Sequence, residues 1–304
     1  MALLEQPLCN GPSLLAELFI HFFTADRASS RTARPGKRST FDALLDAGVT
    51  LFDTAEIYTA GASERTIGRC IRESGLTPTV LSKFFPYPWR LGKGAMNAAL
   101  GRSLSRLEVP RVDVYLLHFP WPPVSVETWA DALADEVKAG RARAVGISNC
   151  TPAQTRRAHA ALAARGVPLA CNEVEYSLLN RGPETSGLSA TCLELGVTLI
   201  AYRPLAMGVL SGKYTAEHPP GGVRGMKYNK ASLSRIAPLQ GAVSRIGKAR
   251  GKTPAQVAIN WLLAQGALPI PGARDAAQAR ENAGAMGWRL TAEELNELDA
   301  SSPR

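Results

Sequence analysis

Asp53, Lys83, His118, Ser148 with Asn149, Asn172 with Glu173, and Tyr202 all stand at or near the ends of short apolar runs, and Tyr58 lies a short loop beyond Asp53. Four of these side chains, Asp53, Tyr58, Lys83 and His118, make a coherent proton-handling set. A phenol with a pKa of about 10 is a poor donor at neutral pH; a neighbouring ammonium lowers that value, and a carboxylate beside the ammonium keeps it charged. Tyr58 with Lys83 and Asp53 forms such a relay, and His118 can hydrogen-bond a substrate carbonyl or share the proton. A carbonyl attacked by hydride is the natural proton acceptor. No side chain supplies hydride, so a nicotinamide cofactor is implied. Ser148 and Asn149 can hold a carboxamide, and the face of Tyr202 can stack on the ring. Each residue alone has a plainer role: Asp53 as a cap, Lys83 in a surface ion pair, His118 as a satisfied core histidine.

These positions gain force from the elements around them. Runs rich in Val, Ile and Leu read as buried parallel strands at Val49–Phe52, Val80–Lys83, Val112–Leu117, Ala144–Ile147, Leu169–Val174, Val197–Tyr202 and Leu268–Ile270. Helices are expected near Glu64–Ser74, Ala95–Leu107, Val126–Ala139, Pro152–Ala164, Ser186–Leu195, Pro254–Ala264 and Ala276–Gly284. Thr151-Pro152 and Thr253-Pro254 give helix starts, while Gly140, Gly166 and Gly196 give stops. Strict alternation argues for a parallel sheet with crossover helices, and closure into a (β/α)8 TIM barrel fits best. In that fold polar residues at the C-terminal strand ends face the active site. One strand more is needed than is visible, so the first is atypical or missing. Residues 1–38 are read as an atypical N-terminal segment and 39–304 as the barrel domain. Leu14–Phe23 could be a helix or a strand, and 27–39 (RASSRTARPGKRS), with five basic residues and no acid, resembles a flexible arm.

The 304 residues, 45% of them hydrophobic and 20% charged, describe a globular chain rather than a disordered one. No apolar run is long enough to span a membrane. The five cysteines are odd in number, scattered and without a C-x-x-C, so neither a disulfide framework nor a metal module is expected. The early charges, Glu5 and Glu17, argue against a secretory signal, and an intracellular place, cytoplasmic or plastid, is expected. The net charge of +9 has a local source: nine basic residues and no acid lie between His218 and Arg274. Without a nucleic-acid motif this field suits a phosphorylated ligand, or else a solvated basic helix face. No G-x-G-x-x-G or G-x-x-x-x-G-K-[ST] occurs, so phosphate binding falls to the late loops of a barrel, where this window lies.

LFDTAEIY (51–58), VLSKFF (80–85), RVDVYLLH (111–118), AVGISN (144–149), CNEVEYSLLNR (171–181), IAYRPL (200–205) and PIPGARDAAQARENAGA (269–285) together resemble the aldo/keto reductase family, most of all its plastid and cyanobacterial branch. The resemblance covers about Phe41 to Asp299. It implies NADPH-dependent reduction of a small-molecule aldehyde or ketone, with no nucleic acid and no metal. Tyr58 would be the general acid, Lys83 and Asp53 its tuning partners, and His118 the substrate-orienting group. NADP(H) would meet Ser148, Asn149 and Glu173 at its carboxamide, Tyr202 beneath the ring, Arg203, Leu205 and Gly208 beyond the seventh strand, Arg274 at the 2′-phosphate, and Gln278, Glu281 and Asn282 toward the adenine. Phe85, Trp89 and Trp121 would line the substrate pocket, buried structural aromatics being the alternative.

Three departures from the family pattern stand out. Glu173 replaces a usual Gln, Arg203 replaces a usual Ser, and the first strand with its Gly-rich end has no recognisable counterpart. Two other readings are compatible with the sequence: an NADPH-binding regulatory or channel-associated subunit, and a lyase or aldolase with Lys83 as a Schiff base, against which the adjacent Asp53 argues. Oligomeric state and physiological substrate are not encoded in any motif.

Overall fold

The computed structural model describes residues 19–21 and 35–303. Eight parallel strands follow one another in chain order: β1 Phe19–His21, β2 Leu51–Asp53, β3 Thr79–Phe84, β4 Val112–Leu117, β5 Ala142–Ser148, β6 Leu169–Glu175, β7 Thr198–Tyr202 and β8 Leu268–Ile270. β1 pairs in register with β2, Phe19 opposite Leu51 and His21 opposite Asp53. β8 approaches β1 on the other side without a ladder between them among the described residues, so the cylinder is nearly closed. The architecture is the expected (β/α)8 barrel. Part of Leu14–Phe23 takes the place of the strand that the sequence pattern does not reveal, and the last two visible strands are the seventh and eighth.

Alternation within the strands builds two cores. Leu51, Leu81, Val114, Leu116, Cys171, Ile200, Leu268 and Ile270 point inward and fill the cylinder. Their neighbours Phe52, Val80, Phe84, Tyr115, Leu117, Val145, Ile147 and Leu199 point outward and join the helices in a larger core with Trp129 and Trp261. A large apolar side chain contributes about 1.5–3 kcal/mol when fully buried, so this outer layer is the main stabilising mass. Gly146 marks the tightest point of the cylinder. A Cβ there would lie 2.5 Å from the Cys171 sulfur and 3.0 Å from its carbonyl oxygen, which only glycine avoids.

The start signals work as expected: Thr151 and Thr253 each cap a helix through a reciprocal capping box with Pro at the first turn. The expected helices are present with small changes at their ends, Ala62–Ser74, Lys93–Leu107, Val126–Lys138, Pro152–Ala163, Leu188–Leu195, Pro254–Ala264 and Ala276–Ala283. Three further long helices were not expected. Pro35–Asp46 is helical and takes up the end of the supposed arm 27–39, whose remainder lies outside the described residues, as do 14–18 and 22–23. Lys230–Arg250 is a single helix despite Pro238 and its glycines, because Leu233, Ile236, Leu239, Val243 and Ile246 form one buried stripe. Ala292–Ser301 packs against it. Among the described residues no helix is long and apolar enough to cross a membrane.

Candidate active site

The C-terminal strand ends bring most of the sequence-derived residues to one mouth. Asp53 closes β2, Lys83 lies one residue from the end of β3, and His118 follows β4 with its backbone N–H donating to the Phe84 carbonyl at 2.9 Å. Asp53 and Lys83 have no exposed surface, and His118 is buried. The Lys83 ammonium donates to an Asp53 carboxylate oxygen and, at 3.2 Å, to the Thr54 carbonyl. It lies 5.3 Å from the centre of the Tyr58 ring, and that ring meets His118 edge-on with centroids 5.7 Å apart. The expected quartet is therefore a single contact group.

Glu173 joins this group. Its side chain comes from β6, and its Oε2 lies 3.2 Å from Lys83 Nζ but accepts no hydrogen bond. Two carboxylates thus share one ammonium in a deeply buried group. Burial alone would pull the Lys83 ammonium down; Asp53 and Glu173 more than reverse this, and its pKa is raised. Burial first and the Asp53 charge second push the Glu173 carboxyl up to about 8, against the pull of Lys83. For Tyr58 the outcome differs from the sequence expectation. Lys83 does pull the phenol down, but burial is larger and raises its pKa above the ordinary value, with Asp53 and Glu173 adding to the rise. Tyr58 therefore stays protonated across the neutral range.

Beyond the ionic group, Ser148 Oγ donates to the Glu173 carbonyl at 2.8 Å. Asn149, in the left-handed region at φ 58°, donates to Ser148 Oγ at 3.0 Å and to the His118 carbonyl at 3.1 Å. The Tyr202 hydroxyl donates to Asn149 Oδ1 at 2.9 Å, leaving its ring half-buried at the rim. This chain of bonds ties β4, β5, β6 and β7 together at the mouth.

Aromatic rings form the adjoining wall. Phe119 stacks on His118 at 4.9 Å and on Trp121 at 4.7 Å, and Phe85 meets His118 edge-on at 5.6 Å. Trp121 is half-exposed and Trp89, stacked on Tyr87, is exposed, so neither is a buried structural aromatic. Trp89 reaches His118 only through Tyr87 and Phe85. Glu56 fixes the loop beneath: it accepts from the Phe85 backbone N–H at 2.8 Å and pairs with Arg90. Sequence reasoning missed Glu56, Arg90, Tyr87 and Phe119. Glu56 could have been found as an acid near Asp53 in LFDTAEIY, and Phe119 as the residue after His118.

Arg203 and the basic residues of the window beyond His218 divide. Arg203, left-handed at φ 53°, lies 3.2 Å from Glu175 at the end of β6, and Lys227 reaches the same carboxylate at 3.6 Å. Leu205 and Gly208 follow in the same loop, Gly208 at φ 91°. Arg274, just beyond β8, is exposed and has no acidic partner among the described residues; its backbone N–H donates to Gln278 Oε1 at 3.2 Å. Asn282 is buried and holds the Gly272 carbonyl at 3.3 Å, while Glu281 is half-buried on the same helix. Arg245 and Arg250 do not join them: they pair with Glu297 and Glu294 of the C-terminal helix, which is the solvated-face reading. A separate shallow cavity of about 460 Å³, lined by Tyr214, Glu217, Ser234 and Gln240, has no cation in its lining. Among the described residues no His, Cys, Asp or Glu cluster could hold a metal, and the four cysteines described are buried and free.

Comparison with known proteins gives consistent matches. The model of the Aldo/keto reductase family matches residues 22–303. The chloroplastic pyridoxal reductase of Arabidopsis thaliana is 39% identical over 275 residues, covering 86% of this chain and 75% of the relative. The aldo-keto reductase yakc [NADP(+)] of Schizosaccharomyces pombe is 31% identical over 272 residues, covering 83% and 78%. Among solved structures, an aldo/keto reductase from Klebsiella pneumoniae in complex with NADP and acetate superposes with a TM-score of 0.76 at 28% identity, over 94% of this chain and 91% of that one.

Proposed function

Starting from the fact that the chain belongs to the aldo/keto reductase family and is of an oxidoreductase line, we propose that it reduces the carbonyl of small aldehydes or ketones with NADP(H). The single observation that carries this reading is the convergence of Tyr58, Lys83, Asp53 and His118 in one buried contact group at the barrel mouth. The residues present fit the cofactor. Glu173 Oε2 is a buried polar atom that accepts no hydrogen bond, and Tyr202 offers a flat half-buried face beside it. Ser148, Asn149 and Glu173 would hold the carboxamide, Tyr202 the ring, Arg203 and the loop with Leu205 and Gly208 the phosphates, and Arg274 the 2′-phosphate, with Gln278, Glu281 and Asn282 toward the adenine. The nicotinamide, when bound, supplies the hydride.

The chain's own residues do the rest. His118 and Tyr58, edge to face, present donors to a carbonyl oxygen entering along the aromatic wall. As negative charge builds on that oxygen, Tyr58 gives up its proton. Lys83 stabilises the phenolate left behind, and Asp53 keeps Lys83 charged. The raised pKa of Tyr58 keeps the donor loaded until an alkoxide, a stronger base than phenolate, calls for the proton. Phe85, Phe119 and Trp121 suit a flat ring, which favours an aromatic aldehyde such as the pyridoxal named for the Arabidopsis relative.

Tyr58→Phe tests the reading. General acid catalysis contributes about 10²–10⁴-fold, so carbonyl reduction should fall by that factor in stopped assays while NADPH fluorescence titration gives an unchanged Kd. Retained turnover would overturn the mechanism, and absent NADPH binding in the parent protein would overturn the cofactor assignment.

A further inference from the structure

Glu173 sits between the residues assigned to the carboxamide and those assigned to the ring: β6 carries it beside Ser148 of β5, and β7 brings Tyr202 to the next rim position. The position is unusual electrostatically. One ammonium, Lys83, faces two carboxyl groups: it donates to Asp53 and the Thr54 carbonyl, and its Nζ lies 3.2 Å from Glu173 Oε2. With both acids ionised the group carries one negative charge more than positive, where burial leaves little solvent screening. With Glu173 protonated it is neutral, and the carboxyl then offers one donor and one acceptor, the same pair that a carboxamide offers.

The nicotinamide ring differs in charge between its two redox states, being cationic when oxidised and neutral when reduced. A carboxyl group beside it therefore discriminates between them only when ionised. We propose that Glu173 sets the charge of the nicotinamide pocket, so that the chain's preference between oxidised and reduced cofactor depends on pH, with the oxidised form favoured on the alkaline side. This rests on the cofactor reading above and extends it from where the ring sits to which ring is held. Acidic conditions then favour the state that carries out reduction, and alkaline conditions the state that carries out alcohol oxidation.

The other titratable groups facing Glu173 do not imitate it. Lys83 on β3 is held charged, with Asp53 on β2 as its hydrogen-bonded partner. Tyr58, Cys171 on β6 and Tyr202 on β7 are all raised by burial and stay neutral. His118 follows β4, Glu175 at the end of β6 is paired with Arg203 at the rim, and β5 and β8 present Ser148, Ala144, Leu268 and Ile270 to this space. The rise of the Glu173 carboxyl to about 8 places its ionisation inside an accessible range. Binding of the cationic ring must make that ionisation easier, so part of the NADP⁺ binding reaction is transfer of the Glu173 proton to solvent.

The test is calorimetric titration of the full chain with NADP⁺ and separately with NADPH, from pH 6.5 to 9, in two buffers of different ionisation enthalpy. The parent protein should release more protons on binding NADP⁺ than on binding NADPH, the 2′-phosphate contributing equally to both, and its NADP⁺ affinity relative to NADPH should rise with pH by on the order of tenfold, the change that accompanies a tenfold easier ionisation. Glu173→Gln, neutral at every pH, should release equal numbers with the two cofactors and hold a constant ratio; this comparison also removes any share of His118. Equal pH slopes in both proteins would overturn the inference while leaving the cofactor site intact. Equal proton release with NADP⁺ and NADPH in the parent protein overturns it without reference to the variant. Failure of either cofactor to bind would remove the cofactor reading first, and this inference with it.

Discussion

Lys83 and the cations between Arg224 and Arg274 are both concentrations of positive charge visible in the sequence, and the fold treats them in opposite ways. Lys83 is a single ammonium without exposed surface, fixed by Asp53 and flanked by Glu173. The nine cations of the window are exposed or half-buried and spread over two helices, the turn after the second and the loop beyond β8. A buried charge has lost its water, so its partners decide both whether the fold survives and what its neighbours' protons do. An exposed charge keeps its water and interacts weakly with any one partner. The difference teaches that the count of cations in a stretch says little; burial and the identity of the facing acid decide which of them can do chemistry.

The sharpest way to break this comparison is at Lys83. Lys83→Met leaves Asp53 and Glu173 buried without a counterion, and breaking a buried pair costs about 3–5 kcal/mol. Urea unfolding at pH 7 should show a loss of that size together with loss of carbonyl reduction. The sign with pH follows from the same physics. In the variant both carboxyls resist ionisation when folded, so the fold binds more protons than the unfolded chain, and stability should fall as pH rises from about 5 to 7. A variant as stable as the parent at pH 7 would show that the cluster is not the anchor its geometry indicates.

A smaller effect should come from the member of the window that stands just beyond β8 without an acid beside it. Arg274 has no acidic partner among the described residues, which leaves its guanidinium available to a phosphate. Hydrogen bonds to charged groups are worth about 1.5–3 kcal/mol, so Arg274→Ala should weaken NADPH by roughly one to two orders of magnitude and leave NADH nearly unchanged. Equal losses for both cofactors in parallel titrations would take Arg274 away from the 2′-phosphate.

The same contrast explains how far the sequence could be read. Buried parallel strands are continuous apolar runs, so a polar residue closing one stands out, and Asp53, Lys83, Ser148 and Tyr202 were legible for that reason. β1 was not, because Phe19–His21 is three residues long and no alternation or flanking turn marks it. Lys230–Arg250 was missed because Pro238, Gly241 and Gly247 lower its local propensity, while the buried stripe that stabilises it is satisfied only by tertiary packing. The sign of the Tyr58 shift was inferred from its cationic neighbour; the depth of burial that reverses it depends on how the strand ends and an aromatic wall close over the phenol. The acids that neutralise the outer cations lie 44 and 52 residues away in sequence, beyond the reach of any local pattern.

The smallest expected effect is at Arg250, and it tests the comparison from the other side. Arg250 donates to both oxygens of Glu294, Nε at 2.7 Å and Nη2 at 3.0 Å, joining the long helix Lys230–Arg250 to the C-terminal one. Its fork geometry is good, yet the Arg250 side chain keeps 37% of its surface and that of Glu294 keeps 16%, so water still solvates the pair. Arg250→Ala should therefore lower stability by no more than about 1 kcal/mol, with the loss shrinking further in high salt. NADPH affinity should not change, because this cation is committed to an acid on the outside of the barrel. If Arg250→Ala weakened NADPH as much as Arg274→Ala does, the window would act as one diffuse field, and the distinction between Arg274 and the cations paired on the outside of the barrel would fail.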